Sequence, residues 1–254
     1  DGPDLTLETG KLAGLAGGSV LARLGDTSIL VAATGAKSVR DGIDFFPLTC
    51  DYREKTGAAG KFPGGFRKRE GQPNEKEVLT MRMMDRPIRP LFPEGFCDEI
   101  QLQAWVMSHD GQNDSDVLAC TAASAALYIT DAPYLGPVAT VRVARIITEQ
   151  GERFVVNPTQ AQMEFSDLDL VLSAHKDGVN MIEVGAAEVS EATMVAAINF
   201  GIEEGIKPIL ELMEELRAKC GAPAVRMGEL NTPSDEVMKK VKEAAYDRLL
   251  EARK

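Results

Sequence analysis

Alternation of apolar and polar residues constrains the fold of this chain most strongly. Alternation is typical of β-strands that bury one face, and strand-like segments bounded by turn residues recur through the first 185 residues. We predict strands at 3–9, 19–24, 28–34, 45–53, 99–108, 136–148, 153–156, 169–174 and 180–184, with turns at Gln150–Gly151 and Asp177–Gly178. From Ser190 the spacing becomes helical, with a break near Pro208 and a last helix that opens at 231–233. The sequence therefore predicts a strand-rich α+β region followed by helices.

Two further helices are predicted inside the strand-rich region. Asn74 can cap the first, and Glu77, three residues later, brings the pattern close to a capping box. Pro87 and Pro90 should limit this helix near Arg86, because proline lacks a backbone donor and clashes with the preceding turn. The second helix, at 117–128, is rich in alanine, which favours close packing on a sheet.

Composition indicates an ordinary folded protein that does not span a membrane. The 254 residues are 44% hydrophobic and 26% charged, enough for one large domain or two small ones. No apolar run approaches the ~18 residues of a membrane span. No basic region precedes an apolar core near residue 1, so no signal peptide is expected. The four cysteines are scattered, without a CxxC or Cys/His cluster, which predicts reduced thiols in a cytosol-like compartment and no structural zinc.

One segment carries positive charge in an otherwise acidic chain. Residues 61–93 hold eight basic and four acidic residues, whereas the whole chain has a net charge of −11. A glycine pair precedes an aromatic residue and three consecutive cations, and a helix with further arginines follows. These candidate contact residues are Phe66, Arg67, Lys68, Arg69, Arg82, Arg86 and Arg89. Because cations neutralise phosphates and aromatic rings stack on bases, the segment predicts a single-stranded nucleic-acid site.

Simpler structural roles stay open for several candidate residues. A run of three cations is often solvated surface, and Arg86 or Arg89 could pair with Asp85 or Glu94 to fix the helix end. Asp167 and Asp169 lie two apart, so their carboxylates could share one face of an extended segment and hold Mg²⁺. A solvated turn ahead of a strand explains the same two acids.

Three stretches of the chain resemble one enzyme family. They are residues 44–96, which include TGAAGKFPGGFRKREGQPNEKE and DRPIRPLFPEGF, residues 114–127 (DSDVLACTAASAAL), and residues 156–186, which include VNPTQ and LDLVLSAHKDGVNMIEVGA. In these motifs the chain resembles the polynucleotide phosphorylase family over essentially its whole length, and the DRPIRPLFPEGF run is highly specific to that family.

The resemblance implies a fold and a domain organisation. Residues 1–205 should form an α+β ribonuclease-PH-like core, a mixed sheet of the ribosomal protein S5 domain 2 type with packed helices. Residues 206–254 should form an incomplete, all-α linker domain. The family's second core and its C-terminal RNA-binding modules, a KH domain and an OB-fold, would lie outside this chain.

The resemblance also implies a function. The family degrades RNA from the 3′ end with inorganic phosphate as co-substrate, releases nucleoside diphosphates, and can run in reverse to polymerise them. Magnesium (Mg²⁺) assists the reaction. The expected partners are single-stranded RNA, two further copies in a homotrimeric ring, and proteins of an RNA-degradation complex, with no membrane. We expect a cytoplasmic location, with an organellar origin left open.

Site residues follow from the resemblance position by position. The family's catalytic acids lie in the second core, and the matching positions here are Met163, Asp167 and Asp169. A thioether is a poor Mg²⁺ ligand, so this half should not catalyse alone and should hold no metal; Asp167 and Asp169 are its weak catalytic candidates.

The family's RNA-gripping loop has two aromatic and two basic residues, which match Phe66, Arg67, Lys68 and Arg69, with arginine in the second aromatic place. Gln72 stands where the family has a further arginine. Two other functions stay open: a purely structural trimerisation module, and a core that binds guanine nucleotides or transfers pyrophosphate.

Overall fold

Strands recur through the first 186 residues, as the alternation predicts. The computed structural model of the protein describes residues 3–39, 42–148, 151–228 and 230–253. Its strands are β1 (Leu5–Glu8), β2 (Gly18–Leu24), β3 (Thr27–Gly35), β4 (Leu48–Arg53), β5 (Ile100–Ser108), β6 (Ala139–Thr148), β7 (Gly151–Val156), β8 (Ser166–His175) and β9 (Gly178–Ala186). Each overlaps a predicted strand. The predicted turn at Gln150–Gly151 includes Gln150, which lies outside the described residues.

Helices occupy the connections and the C-terminal region. They are α1 (Glu75–Ile88), α2 (Ser115–Tyr128), α3 (Gln160–Met163), α4 (Glu191–Phe200), α5 (Lys207–Cys220) and α6 (Asp235–Ala252). Short 3₁₀ turns lie at 56–59 and 89–91, and a π-helical segment at 201–206 joins α4 to α5. In the described ranges, none of these helices has the length and apolar character needed to cross a membrane.

Two sheets enclose the core. The first is mixed, in the order β1-β2-β3-β5-β4, with β4 parallel to β5 and the other pairs antiparallel. The second is antiparallel, in the order β7-β6-β8-β9. Helix α2 contacts β2 and β3 of one sheet and β6 of the other, and nearly all its residues are buried. A helix covered on all sides needs apolar residues all round, and small alanines let both sheets approach it.

Helix α1 begins as predicted and ends later than predicted. The Asn74 side chain accepts from the Glu77 backbone at 2.8 Å, and Glu77 Oε2 accepts from the Asn74 backbone at 2.7 Å, which completes the capping box. The helix ends at Ile88, ahead of Pro90 and two residues beyond Arg86, and Pro87 lies inside its last turn. Pro87 and Ile88 are both buried, and their burial offsets the cost of the missing backbone hydrogen bond.

The chain also stays helical through Pro208, so the predicted break there is wrong. Pro208 lies in the first turn of α5, and the irregularity is the π-helical segment that precedes it. A wide turn brings the backbone of this segment close to the second sheet. A Cβ atom on Gly201 would lie 2.8 Å from Cγ2 of Val143, and one on Gly205 would lie 3.0 Å from Cγ1 of Val156.

The C-terminal region is attached to the core at several points. Ile209 and Met213 of α5 are buried in the same core as the sheets. After α5, Arg226 donates from Nη1 to the buried Asp98 carboxylate at 2.9 Å and from Nη2 to the Ala36 carbonyl at 3.0 Å. Helix α6, capped by Ser234, has no buried residue. The domain boundary at 205/206 stays a prediction.

Candidate nucleic-acid interface

The predicted RNA-contacting residues lie on one exposed loop ahead of α1. We call residues 61–72 the cationic loop. Its two phenylalanines are almost fully exposed, Phe62 at 92% and Phe66 at 103%. Cβ atoms on Gly64 and Gly65 would meet no atom within 4 Å, and Gly65 has a φ of +74°. An uncovered aromatic ring on an open loop is available to stack on another flat group.

Charged side chains on the loop are available as well. Arg67, Lys68 and Arg69 are exposed, and no described residue forms a hydrogen bond or ion pair with any of them. Arg82, which is exposed on α1, likewise has no partner in the part of the chain that the structure describes. These four candidates can therefore bind an anion without first breaking an internal ion pair.

Glu70 fixes the end of the loop. Its Oε1 accepts from the Thr56 backbone at 3.0 Å and from the Thr56 hydroxyl at 2.9 Å. The loop is thus held against the 3₁₀ turn directly after the three cations.

The two remaining arginines are already engaged. Arg86 Nη1 lies 2.5 Å from Glu183 Oε1 of β9. Arg89 binds both oxygens of Asp85, at 2.9 Å and 2.6 Å, and also donates to the carbonyls of Phe46 and Leu48. The hydrogen bonds to Asp85 raise the pKa of the Arg89 guanidinium. Arg89 therefore fixes the end of α1 to the start of β4, which is the structural role left open for it.

The two weak catalytic candidates are also paired with arginines. Asp167 Oδ1 accepts from Arg145 Nε at 2.9 Å, and its Oδ2 contacts Arg145 Nη2. This hydrogen bonding lowers the pKa of the Asp167 carboxyl. Asp169 Oδ1 accepts from Arg142 Nε at 2.9 Å. Carboxylates held by guanidinium groups do not fit a Mg²⁺ site, and no metal-binding group of three or more acidic, histidine or cysteine residues occurs within the described ranges.

Sequence reasoning missed the ion-pair network to which Asp169 belongs. Arg142, a mostly buried residue of β6, binds Asp116 at 2.7 Å and Asp114 at 3.1 Å as well as Asp169. Lys76 of α1 joins Asp114 at 3.0 Å. The network lies at a cavity of about 510 Å³ between α1 and the second sheet. Both of its cations are paired with carboxylates, so the network offers no free positive charge to an anionic ligand.

Burial acts differently on the two network carboxylates at the start of α2. Burial alone would raise the pKa of Asp114, but Lys76 and Arg142 outweigh it and hold that pKa below its usual value. Asp116 is more deeply buried, and burial raises its pKa although Arg142 opposes the change. Lys76 and Arg142 therefore favour the ionised form of Asp114.

Known protein families match the chain in two consecutive segments. The model described as 3′ exoribonuclease family, domain 1 (RNase_PH), matches residues 3–133. The model for domain 2 of the same family (RNase_PH_C) matches residues 136–204. The junction lies between α2 and β6, where the first sheet ends and the second begins.

Curated relatives carry the name polyribonucleotide nucleotidyltransferase. The protein of Anaeromyxobacter dehalogenans is 50% identical over 251 residues, which cover 99% of this chain and 34% of the relative. The protein of Geobacter sulfurreducens is 48% identical over 252 residues, which cover 99% of this chain and 35% of the relative. The chain thus spans about a third of the length of the curated relatives it matches.

Solved structures with low sequence identity share the fold. A chain of the Archaeoglobus fulgidus exosome with RNA bound to the active site is 20% identical, with a TM-score of 0.58 over 87% of this chain and 89% of that one. Rice (Oryza sativa) Rrp46 is 12% identical, with a TM-score of 0.65 over 87% of this chain and 95% of that one. The ribonuclease-PH-like α+β core is therefore confirmed. Since both domain models match in order and the first alone covers residues 3–133, the chain belongs to the 3′ exoribonuclease family.

Proposed function

We propose that this chain is the N-terminal part of a 3′-to-5′ exoribonuclease that degrades RNA with inorganic phosphate, and that its cationic loop grips single-stranded RNA. The observation that carries the proposal is the set of three consecutive cations that pair with no described residue and lie beside the exposed Phe66, in a chain whose net charge is −11. Relatives with 48–50% identity that carry the name polyribonucleotide nucleotidyltransferase support it.

Each loop residue has a physical role in this proposal. Arg67, Lys68 and Arg69 neutralise phosphates of the strand, and Phe66 stacks on a base without regard to sequence. Arg82 extends the cationic surface along α1. Arg86 and Arg89 act as positioning residues. The Arg86–Glu183 ion pair fixes the end of α1 to β9, and hydrogen bonds from Arg89 to the carbonyls of Phe46 and Leu48 fix it to the start of β4.

Chemistry is assigned to parts of the protein outside this chain. Asp167 and Asp169 are both held by arginines, so Mg²⁺ and inorganic phosphate would bind elsewhere in the complete protein. This half would supply the RNA grip and surfaces for a homotrimeric ring. A cytoplasmic location and partners in an RNA-degradation complex stay predictions.

A phosphorolysis assay tests the proposal. The purified chain is incubated with Mg²⁺ and a 3′-single-stranded oligoribonucleotide, with and without inorganic phosphate, and released nucleoside diphosphates are quantified. We expect no release but measurable binding of the oligoribonucleotide. Phosphate-dependent release would make this half catalytic, and the Asp167 and Asp169 variants would be made first. A chain that neither binds RNA nor releases product would instead fit the purely structural trimerisation module.

A further inference from the structure

A second feature beside the cationic loop suits a flat ligand. A cavity of about 440 Å³ opens between the end of the loop and the outward face of the first sheet. Gly71 and Gln72 line it on the loop side, and Arg53 and Trp105 line it on the sheet side. Its volume falls in the range of small-ligand pockets, about 300–1,000 Å³. Arg69 is only two residues from Gly71, so an RNA strand bound to the loop cations would pass close to the cavity.

The sheet presents the chain's only tryptophan to this cavity. Along β5, Leu102, Ala104 and Val106 are buried, so Trp105 lies on the outward face, where it is 43% exposed. Register places it between Arg53 of β4 and Leu30 of β3. A tryptophan on the outward face of a sheet leaves a large apolar ring in contact with water. Binding of a flat group to the face of this ring is favoured, because it removes apolar surface from water.

One face of the Trp105 ring already attracts a cation. The Lys55 ammonium group lies 4.2 Å from the ring centroid, the geometry of a cation–π contact. Lys55 is an exposed residue directly ahead of the 3₁₀ turn, so its side chain can leave the ring at small cost. A base that stacked on the ring would displace this lysine, which could then bind a phosphate of the same RNA strand.

Acceptor oxygens dominate the rest of the cavity wall. Asp51 and Glu70 both line it. Asp51 Oδ1 lies 3.3 Å from Arg53 Nε, and Glu70 Oε1 accepts both hydrogen bonds from Thr56. Asp51 Oδ2 and Glu70 Oε2 accept from no described residue. Carboxylate oxygens accept hydrogen bonds only, so they suit the exocyclic amines of adenine and cytosine and disfavour the carbonyl edge of uracil.

We propose that this cavity holds one nucleobase of the bound RNA strand, stacked on Trp105, and that it favours adenine and cytosine over uracil. The inference rests on the proposed RNA grip, since the loop cations hold the phosphates while the base enters the cavity. It adds a base-selective contact to a loop whose other contacts are independent of sequence.

Emission of the single tryptophan tests the inference directly. The 254-residue chain is titrated with oligo(A), oligo(C) and oligo(U) of equal length while Trp105 fluorescence is followed. We expect strong quenching by oligo(A) and oligo(C) and weaker quenching by oligo(U). Affinities are measured separately by anisotropy of labelled oligoribonucleotides, so that variants without tryptophan can be compared.

Variants separate stacking from selectivity. Trp105→Ala should weaken oligo(A) binding roughly 5- to 150-fold, the range for loss of one stacked base, whereas Trp105→Phe should keep most of the affinity. Asp51→Asn should lower the preference for oligo(A) over oligo(U) while stacking remains. Met107→Ala is the matched control, because Met107 is exposed on the same strand but does not line the cavity.

Three results would overturn the inference. If RNA binds, loop-cation variants weaken it, and neither Trp105 emission nor Trp105→Ala affinity changes, the base site is absent while the proposed RNA grip stands. If the wild-type chain binds no oligoribonucleotide, the grip and the base site both fail. If emission changes with protein concentration but not with RNA, the Trp105 face is a contact between copies of the chain.

Discussion

Removal of positive charge from the cationic loop should lower the affinity for RNA. The size of the effect is set by the number of phosphates that the loop cations neutralise. Arg67, Lys68 and Arg69 have no partner among the residues the structure describes, so each can neutralise one phosphate. At about 0.7 counterions released per phosphate of a single strand, the three give a slope of about −2 for log affinity against log salt. Affinity should therefore fall about 20-fold when salt rises fourfold.

The substitution Lys68→Ala removes one of these charges. We expect the slope to become shallower by about 0.7. Binding of oligo(A) and oligo(C) should weaken alike, because phosphate contacts carry no base information. Anisotropy of labelled oligoribonucleotides across a salt series measures both quantities. Lys239→Ala is the matched control, since it removes an exposed lysine from α6.

Two results would refute this reasoning. One is an unchanged slope and affinity for both homopolymers in Lys68→Ala, which would mean that the loop holds no phosphate. The other is an equal effect of Lys239→Ala, which would mean that net charge, and not the loop, sets the salt dependence.

Three further predictions concern the stability of the core. Arg142→Met leaves the buried Asp116 carboxylate without its guanidinium partner and should lower the free energy of unfolding by about 3–5 kcal/mol in urea denaturation. Asp114→Asn should make the loss of stability in acid less steep. The pKa of Asp114 is lower in the folded state than in the unfolded state, where it is about 3.9, so its ionised form stabilises the fold above that pH. This stabilisation is lost as the pH falls through the folded-state pKa, and the asparagine variant lacks it at every pH. Gly201→Ala, whose Cβ would lie 2.8 Å from Val143, should cost about 1–3 kcal/mol.

Each of these has an outcome that contradicts it. Arg142→Met at wild-type stability would mean that the network carboxylates are neutral or hydrated after the change. Asp114→Asn with the wild-type acid transition would show that other groups set it. For Gly201, the control is Gly57→Ala, where a Cβ meets nothing within 4 Å; equal effects at both positions would exclude steric crowding as the cause.

Strands and the cap of α1 could be predicted because their signals are local. The alternation along β5 depends only on which of its own residues face the core, such as Leu102 and Ala104. The Asn74–Glu77 capping box spans three residues. Sheet order is different, because β5 lies between β3 and β4 and pairs with residues far away in the chain. No local pattern encodes which remote strands meet.

Proline signals were less reliable than strand signals, for a physical reason. A proline disfavours the turn before it, but tertiary burial can outweigh that cost, as it does for Pro87. Near Pro208 the same rule predicted a break, and the actual irregularity is the π-helical segment with Gly201 and Gly205, set by close contact with the second sheet.

The sequence locates the candidate site but does not show which of its charged residues form ion pairs and which are free. Consecutive cations at 67–69 are visible in any sequence, but the partner of Arg86 is Glu183, 97 residues away. The partners of Arg142 in the ion-pair network are 26 to 28 residues away. Only the pairing of β6 with β8 brings Asp169 beside Arg142. Trp105 was missed because its exposure depends on which sheet face the helices cover.

The contacts of Arg226 and the residues after it determine how the C-terminal region would respond to a pulling force. Asn231 donates its backbone N–H to the Gly95 carbonyl at 2.7 Å, Leu230 forms an isolated bridge with Phe96, and Arg226 binds Asp98 and Ala36. A pulling force applied through α6 would load these contacts before it reached α5. The force would pass into the β5 end of the first sheet, leaving the π-helical segment and its packing on the second sheet unloaded until the anchor gave way.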